Sequence, residues 1–216
     1  MYWKDEGYLL SKKLFSENSI IIEAFTLDHG KYSGIVYGGT SKKQKKNFQI
    51  GNKILLNWKS KGENKFGYFN VELINPITPK YFDDKKKSIS ILAASSILKL
   101  LLPEGQINKK IYSSFEKLIN TLDNNYWIKS YVYWEIDLIK ELGFEVNLDQ
   151  KYEIFELNDK KFKIPELYRN PVIKNYTNSI ILEALIFNKN LIFENFIIPN
   201  RLKFPMARNI LEKYFE

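Results

Sequence analysis

Asn75-Pro76-Ile77-Thr78-Pro79 is the stretch on which the fold turns, because two prolines in five residues cannot serve a hydrogen-bonded ladder. On its N-terminal side the apolar residues come in short runs punctuated by Gly, Asn and Ser, the pattern of strands and turns. Strands are expected at Gly7–Leu14, Ser19–Leu27, Lys31–Tyr37, Lys53–Lys59 and Phe66–Ile74. Asp28-His29-Gly30 reads as a tight turn between the second and third, with Gly30 free to take a positive φ. Gly38-Gly39 closes the third strand and Gly51-Asn52 precedes the fourth. Five short strands joined by unequal loops suit a small closed or partly open barrel.

Beyond Pro79 the period becomes helical. Helices are expected at Ser88–Leu102, stopped by Pro103 and Gly105, and at Lys109–Leu122, with Ile111, Phe115, Leu118 and Ile119 on one face. The longest, Tyr126–Leu142, carries Trp127, Tyr131, Trp134 and Leu138 at three- and four-residue spacing. Gly143 follows, where a left-handed helix end favours glycine. Residues 150–175 read as irregular, with Pro165 and Pro171, before two more helices near Ser179–Asn188 and Pro205–Phe215. The predicted class is α+β: a five-stranded barrel over residues 1–79, then an all-helical domain over 80–216.

The chain has 216 residues and a formal charge of +8, with 33 Lys and Arg against 25 acids. Such a balance favours a polyanion, chiefly nucleic acid. Thirty of the cations are Lys and only Arg169, Arg201 and Arg208 are Arg. Lys is a mobile point charge that suits phosphate, whereas bidentate Arg reads guanine edges. Binding to the backbone without regard to sequence is therefore expected. The charge is densest in the barrel, +5 over residues 1–79 against +3 over the longer remainder.

Several classes drop out. With no Cys and one His, neither disulfides, Cys catalysis nor an ordinary zinc site can be built, so no metal and no cofactor are expected. Gly38-Gly39-Thr40-Ser41-Lys42 lacks phosphate-loop spacing, and Asp83-Asp84 before Lys85-Lys86-Lys87 reads as a linker or helix start. His29 sits in a turn, where a satisfied or solvated imidazole is the plain reading. No catalytic set is suggested, so the chain is not expected to be an enzyme. Met1–Gly7 lacks the features of a secretory signal, and Ile89–Leu102 is too short and polar to span a bilayer. A cytoplasmic protein, associated with the nucleoid and with no membrane partner, is expected.

The nucleic-acid candidates cluster in the barrel. Lys42, Lys43, Lys45 and Lys46 crowd a loop between two strands, where a phosphate strand would relieve their repulsion and release counterions. A solubilising loop is the competing reading. Aromatics interleave with the charge at Tyr32, Tyr37, Phe48, Trp58, Phe66, Tyr68 and Phe69. OB-folds stack bases on exposed rings within basic grooves, although most of these rings should fill the barrel. Trp58, flanked by Asn57 and Lys59 with Lys61 following, is the best candidate for exposure, yet its alternation does not fix its face. Lys12, Lys13, Lys31 and Tyr37 complete the candidate set.

The order of several segments resembles the RecO family of recombination mediators, in the form found in alphaproteobacteria but without zinc-binding cysteines. Trp3-Lys4-Asp5-Glu6-Gly7-Tyr8-Leu9-Leu10-Ser11 is similar to the family's first strand, and Glu17–Thr26 followed by Asp28-His29-Gly30-Lys31 is similar to what comes next. Gly38–Lys43 and Gln49-Ile50-Gly51-Asn52 keep the family's order, and Tyr133–Phe144 resembles its signature helix and glycine stop. Leu202–Arg208 resembles a segment of the alphaproteobacterial members.

The resemblance implies an OB-fold followed by a helical domain. It also implies binding of single- and double-stranded DNA, annealing of complementary strands, and assistance to RecA loading on strands coated by single-strand binding protein (SSB). Implied partners are RecR, the acidic C-terminal tail of SSB and, indirectly, RecA. The tail site would fall on Trp127, Lys129, Tyr133 and Lys140, where Tyr133 stands in place of a common basic residue and Lys129 or Lys140 would substitute. Many relatives carry a four-Cys zinc module after the signature helix, whereas this chain has Lys151 and Tyr152 near its first position. From a different class, an RNA-binding or translation-associated OB-fold with a helical interaction module is the alternative.

Overall fold

A computed structural model describes residues 1–60, 62, 66–148, 152–173 and 175–216. Strands β1 (Tyr2–Ser16), β2 (Ser19–Thr26), β3 (Gly30–Tyr37), β4 (Lys53–Lys59) and β5 (Tyr68–Asn75) close a barrel in the order β1-β2-β3-β5-β4. All pairings are antiparallel except β3 with β5, which meet in parallel at Ile35 and Tyr68. The barrel is filled by Leu9, Ile20, Ile22, Val36, Phe48, Ile54, Leu56, Trp58 and Phe69, with Trp3 and Tyr32 packed against them. One short helix, α1 (Lys42–Lys45), lies between β3 and β4 and leads into Phe48, which is buried in this core.

The α+β class is the observed one, and the departures from expectation have local causes. β1 begins at Tyr2 rather than Gly7 because Asp5, though acidic, points inward. Its carboxylate accepts from the backbone N–H of Asp28 at 2.8 Å and lies 2.9 Å from His29 Nδ1. His29 also stacks on Trp3, with ring centroids 4.2 Å apart, so the lone imidazole is satisfied within the turn. Gly30 takes the expected positive φ of 77°. The lysine run expected to be a loop is instead α1, whose N-terminus Ser41 caps by accepting from the Gln44 N–H.

Two compact units divide the chain, Met1–Tyr112 and Ser113–Glu216. The sheet gives way to helix where the prolines lie, and Asp84 caps α2 (Lys85–Leu101) by accepting from the Lys87 N–H. The first unit nevertheless runs on past residue 79, since α2 packs on β1 and Ile91 approaches the Cβ-less Gly51. Ion pairing reinforces this seat, with Lys99 3.0 Å from Glu23. Helix α3 (Lys109–Thr121) contributes Tyr112 to the same unit, against Tyr8 and Phe25.

The second unit contains α4 (Trp127–Glu141), a hairpin of β6 (Ile154–Leu157) and β7 (Lys160–Lys163), α5 (Glu166–Arg169), α6 (Asn178–Ile192), α7 (Ile198–Asn200) and α8 (Met206–Lys213). The hairpin departs from the all-helical expectation, within a stretch expected to be irregular. Asn158 and Asp159 both take positive φ, 49° and 61°, as a two-residue turn of the type I′ class requires. A π-helical turn, Phe193–Ile197, joins α6 to α7, so helical backbone runs on from Asn178 well past the expected stop.

A fully buried Arg208 organises this unit. Its guanidinium donates to Glu135 at 2.5 and 3.0 Å, to Glu212 at 2.8 Å and to the Leu185 carbonyl at 2.8 Å. Burial opposes the charge, but Glu135 beside it more than restores it, and the pKa is raised. Asn188 extends the network, donating to Glu135 and to the Val132 carbonyl while accepting from Tyr168. Arg208→Ala would leave the buried Glu135 carboxylate without its cation, while Glu212 keeps Lys189 at 3.0 Å, so the unfolding free energy should fall by about 3–5 kcal/mol. Denaturant titration followed by circular dichroism checks this; a drop below about 1 kcal/mol would place the network outside the stabilising core.

Candidate nucleic-acid interface

Strict two-residue alternation decides what the barrel shows to solvent. On β1, β4 and β5 the inward set is Trp3, Asp5, Ile54, Leu56, Trp58, Phe69 and Val71. The outward set is therefore ordered by register into transverse rows. Tyr2, Lys59 and Tyr68 are directly paired across the three strands, and the Tyr37 ring at the end of β3 lies 6.1 Å from that of Tyr68. A second row holds Lys4, Asn57 and Asn70, and a third Glu6, Leu55 and Glu72. The first two rows are basic and aromatic, while the third is acidic, with Glu6 3.3 Å from Lys53. The outward residues Tyr8 and Phe25, by contrast, lie beneath Tyr112.

The sequence candidates fall on this frame unevenly. Lys59 joins the first row, with its Nζ 5.4 Å from the centre of the Tyr2 ring, and Tyr37 lies two residues beyond Ile35, the β3 partner of Tyr68. Lys42, Lys45 and Lys46 are exposed on or just after α1, which follows Tyr37 through a turn where Gly38 has φ 72°. Lys12 and Lys13 are exposed on the far half of β1, beyond its pairing with β4. The side chain of Lys43 and the whole of Lys61 lie outside the described residues.

Two candidates are corrected. Trp58 is only 6% exposed and stacks on Trp3 at 5.6 Å, leaving no ring face for a base. The reason is a close approach: a Cβ on Gly67 would meet the Trp58 ring at 2.3 Å, so only glycine lets the indole fold inward there. Lys31 is half-buried and donates to the Lys99 carbonyl at 2.7 Å, with its pKa lowered by burial despite Glu23 and Glu104. It is committed to the seat of α2 and is not a free phosphate contact. Tyr2, Lys4 and Tyr68 share this face but lie outside the candidate set expected from sequence, although Tyr68 is one of its interleaved aromatics. The alternation of Tyr2, Lys4 and Glu6 with Trp3, Asp5 and Gly7 is the signal that marks the first two.

The helical unit holds a separate pocket of about 320 Å³, lined by Leu118, Tyr126, Tyr133 and Trp134 with Lys117, Lys129 and Asp137. Trp127 and Lys140 are not in its lining, so the expected four-residue constellation is not brought together there. Trp127 is buried in the helical core, and Lys140 lies three turns from Lys129 along α4. Lys129 does line the pocket, yet its ammonium donates to the carbonyls of Pro171 and Ile173. Lys117, an exposed lysine outside the expected set, is the better placed cation. Partial burial raises the Asp137 carboxyl above its usual range, against the pull of Lys140 and Lys117.

Comparison with known proteins gives a consistent result. Residues 1–77 match the family model "Recombination protein O N terminal" and residues 83–165 match "Recombination protein O C terminal". The chain is 34% identical over 152 residues to the "DNA repair protein RecO" of Wolbachia pipientis subsp. Culex pipiens (strain wPip), covering 69% of this chain and 62% of that protein. It is 32% identical over 150 residues to the protein of the same name from Roseobacter denitrificans, again 69% and 62%. Against that from Cereibacter sphaeroides (strain ATCC 17029 / ATH 2.4.9) it is 32% identical over 169 residues, 78% and 70%. The chain thus spans about three fifths of the length of the first two relatives.

The exposed lysines of α1 generate a direct test. Replacing Lys42, Lys45 and Lys46 with Ala should weaken binding to single-stranded and duplex DNA alike, since phosphate contacts carry no sequence information. The slope of log affinity against log salt should shrink by about 0.7 for each phosphate of a single strand that is no longer neutralised. Anisotropy across a salt series measures both; an unchanged slope would reduce the run to a solubilising feature.

Proposed function

This chain belongs to the RecO family, and on that premise we propose that it is a recombination mediator in DNA repair. It binds single- and double-stranded DNA, anneals complementary strands and assists RecA loading on strands coated by SSB. It acts by binding and not as an enzyme. The observation that carries this reading is the basic, aromatic outer face of the barrel beside the lysines of α1. Annealing makes and breaks no covalent bond. It requires a cationic surface that lowers the repulsion between two backbones and concentrates them, which weakly specific lysines supply.

The helical unit is proposed to hold protein partners, RecR and the SSB tail among them. A short acidic tail ending in an apolar residue with a free carboxylate needs an apolar cleft beside a cation. The pocket of Leu118, Tyr133 and Trp134 with Lys117 at its edge has that character. Lys129 is better described as a structural clamp on the Pro171 and Ile173 carbonyls, with a cation–π contact to Tyr133 at 5.9 Å.

Two measurements test the reading. Complementary oligonucleotides coated with SSB should anneal faster with the protein than without it; a protein that binds only bare RNA would be blocked by the coat. Calorimetry with an SSB tail peptide should show micromolar binding, weakened by roughly 1–2 kcal/mol in Lys117→Ala because that variant has no ammonium to meet the carboxylate. Normal binding by that variant would move the tail elsewhere.

A further inference from the structure

We infer that Tyr2, Tyr68 and Tyr37 form a base-stacking patch that makes the open barrel face selective for unstacked single strands, while the α1 lysines serve single and double strands alike. This rests on the DNA-binding reading above and assigns separate tasks within that surface. Tyr2 and Tyr37 expose 61% and 67% of their surface, and Tyr68 is half-buried between them. Isolated exposed rings are ordinary on any surface. Two rings fixed in one transverse row on either side of Lys59, with the Tyr37 ring 6.1 Å from that of Tyr68, are a different matter.

The dimensions suit one strand. Three adjacent strands place Tyr2 and Tyr68 about 10 Å apart with Tyr37 beyond, room for a few nucleotides, and the Lys4–Asn57–Asn70 row lies about 7 Å further along the strands. Beyond it the face turns acidic at Glu6 and Glu72, so the favourable band is only two rows deep. A duplex laid on this face would bring its second backbone toward those carboxylates. Its bases, moreover, already have both faces covered by their neighbours, and the rings could reach them only by unstacking the helix. A single strand meets neither obstacle. Its bases can lie on the tyrosines while its phosphates meet Lys59 and Lys4.

The test compares three probes by anisotropy on the full chain: an oligothymidine of about twenty nucleotides, an abasic oligonucleotide of the same length and charge, and a duplex of matching length. The unmodified protein should prefer oligothymidine over the abasic strand by roughly tenfold or more. Tyr2→Ala with Tyr37→Ala, both at exposed positions, should bring oligothymidine down to the abasic value and leave duplex affinity within about twofold. Tyr2→Phe with Tyr37→Phe should keep the preference, because the ring face is retained. Equal affinity of the unmodified protein for thymidine and abasic strands would overturn the inference while leaving DNA binding intact. So would a thymidine preference that survives in the Ala variant, or a weakening shared equally by the duplex. If no probe binds the unmodified protein, the DNA-binding reading fails first, and the inference with it.

Discussion

The inward turn of Trp58 against Gly67 is the contact on which the barrel's surface depends. A pleated strand has two faces, so seating one large ring inside dictates the side of every neighbour in register. With Trp58 among Trp3, Tyr32 and Phe69, Lys59 must face solvent. Its paired neighbours Tyr2 and Tyr68 must then do so as well. Slippage of β4 by one residue would bury Lys59 and Asn57 and expose three core side chains. Burying each large apolar side chain is worth about 1.5–3 kcal/mol, so such a register is strongly disfavoured. The candidate binding surface is thus a by-product of core packing, fixed by residues that never touch a ligand.

The same face shows why charge and position must be read together. Net charge marks the barrel as the basic half of the chain, but its lysines have unlike fates. Lys31 is drawn, with Lys99 of the helix, into contacts that seat α2, while Lys4 and Lys59 remain outward on the open face. Those of α1 are presented on one helical turn, whose following residues anchor it through Phe48. A count of cations over residues 1–79 cannot separate these groups. Strand register and burial can.

Much of the fold is legible in the sequence because its punctuation is strong. Strand β4 is expected at its observed bounds, since Gly51-Asn52 fixes one end and clean alternation fills the rest. What escapes such reading are polar residues serving as interior parts. Asp5 breaks the apparent alternation of β1 and hides its first five residues, although its carboxylate is satisfied by backbone and imidazole. Asn188 resembles a helix end, yet it is buried and bonded to Val132 and Glu135. The β6–β7 hairpin is silent in the sequence because Asn158-Asp159 lacks the glycine that usually announces such a turn. Within the candidate site, Tyr37 and Lys59 stand out from local composition. Tyr2 is marked by the alternation of β1 once Asp5 is placed inward, whereas Tyr68 gains its meaning only from pairing between strands distant in sequence.

Arg208 has a consequence for how this chain tolerates change over generations. Its cations are written almost entirely as lysine, and at exposed positions either cation serves. At position 208 an exchange for lysine meets a physical barrier. An ammonium offers three donors around a point, whereas the two carboxylates and the Leu185 carbonyl are arranged for a planar fork and lie where water cannot make up the difference. Lysine-for-arginine exchange, nearly silent at most exposed positions, would there be among the least tolerated replacements in the helical half.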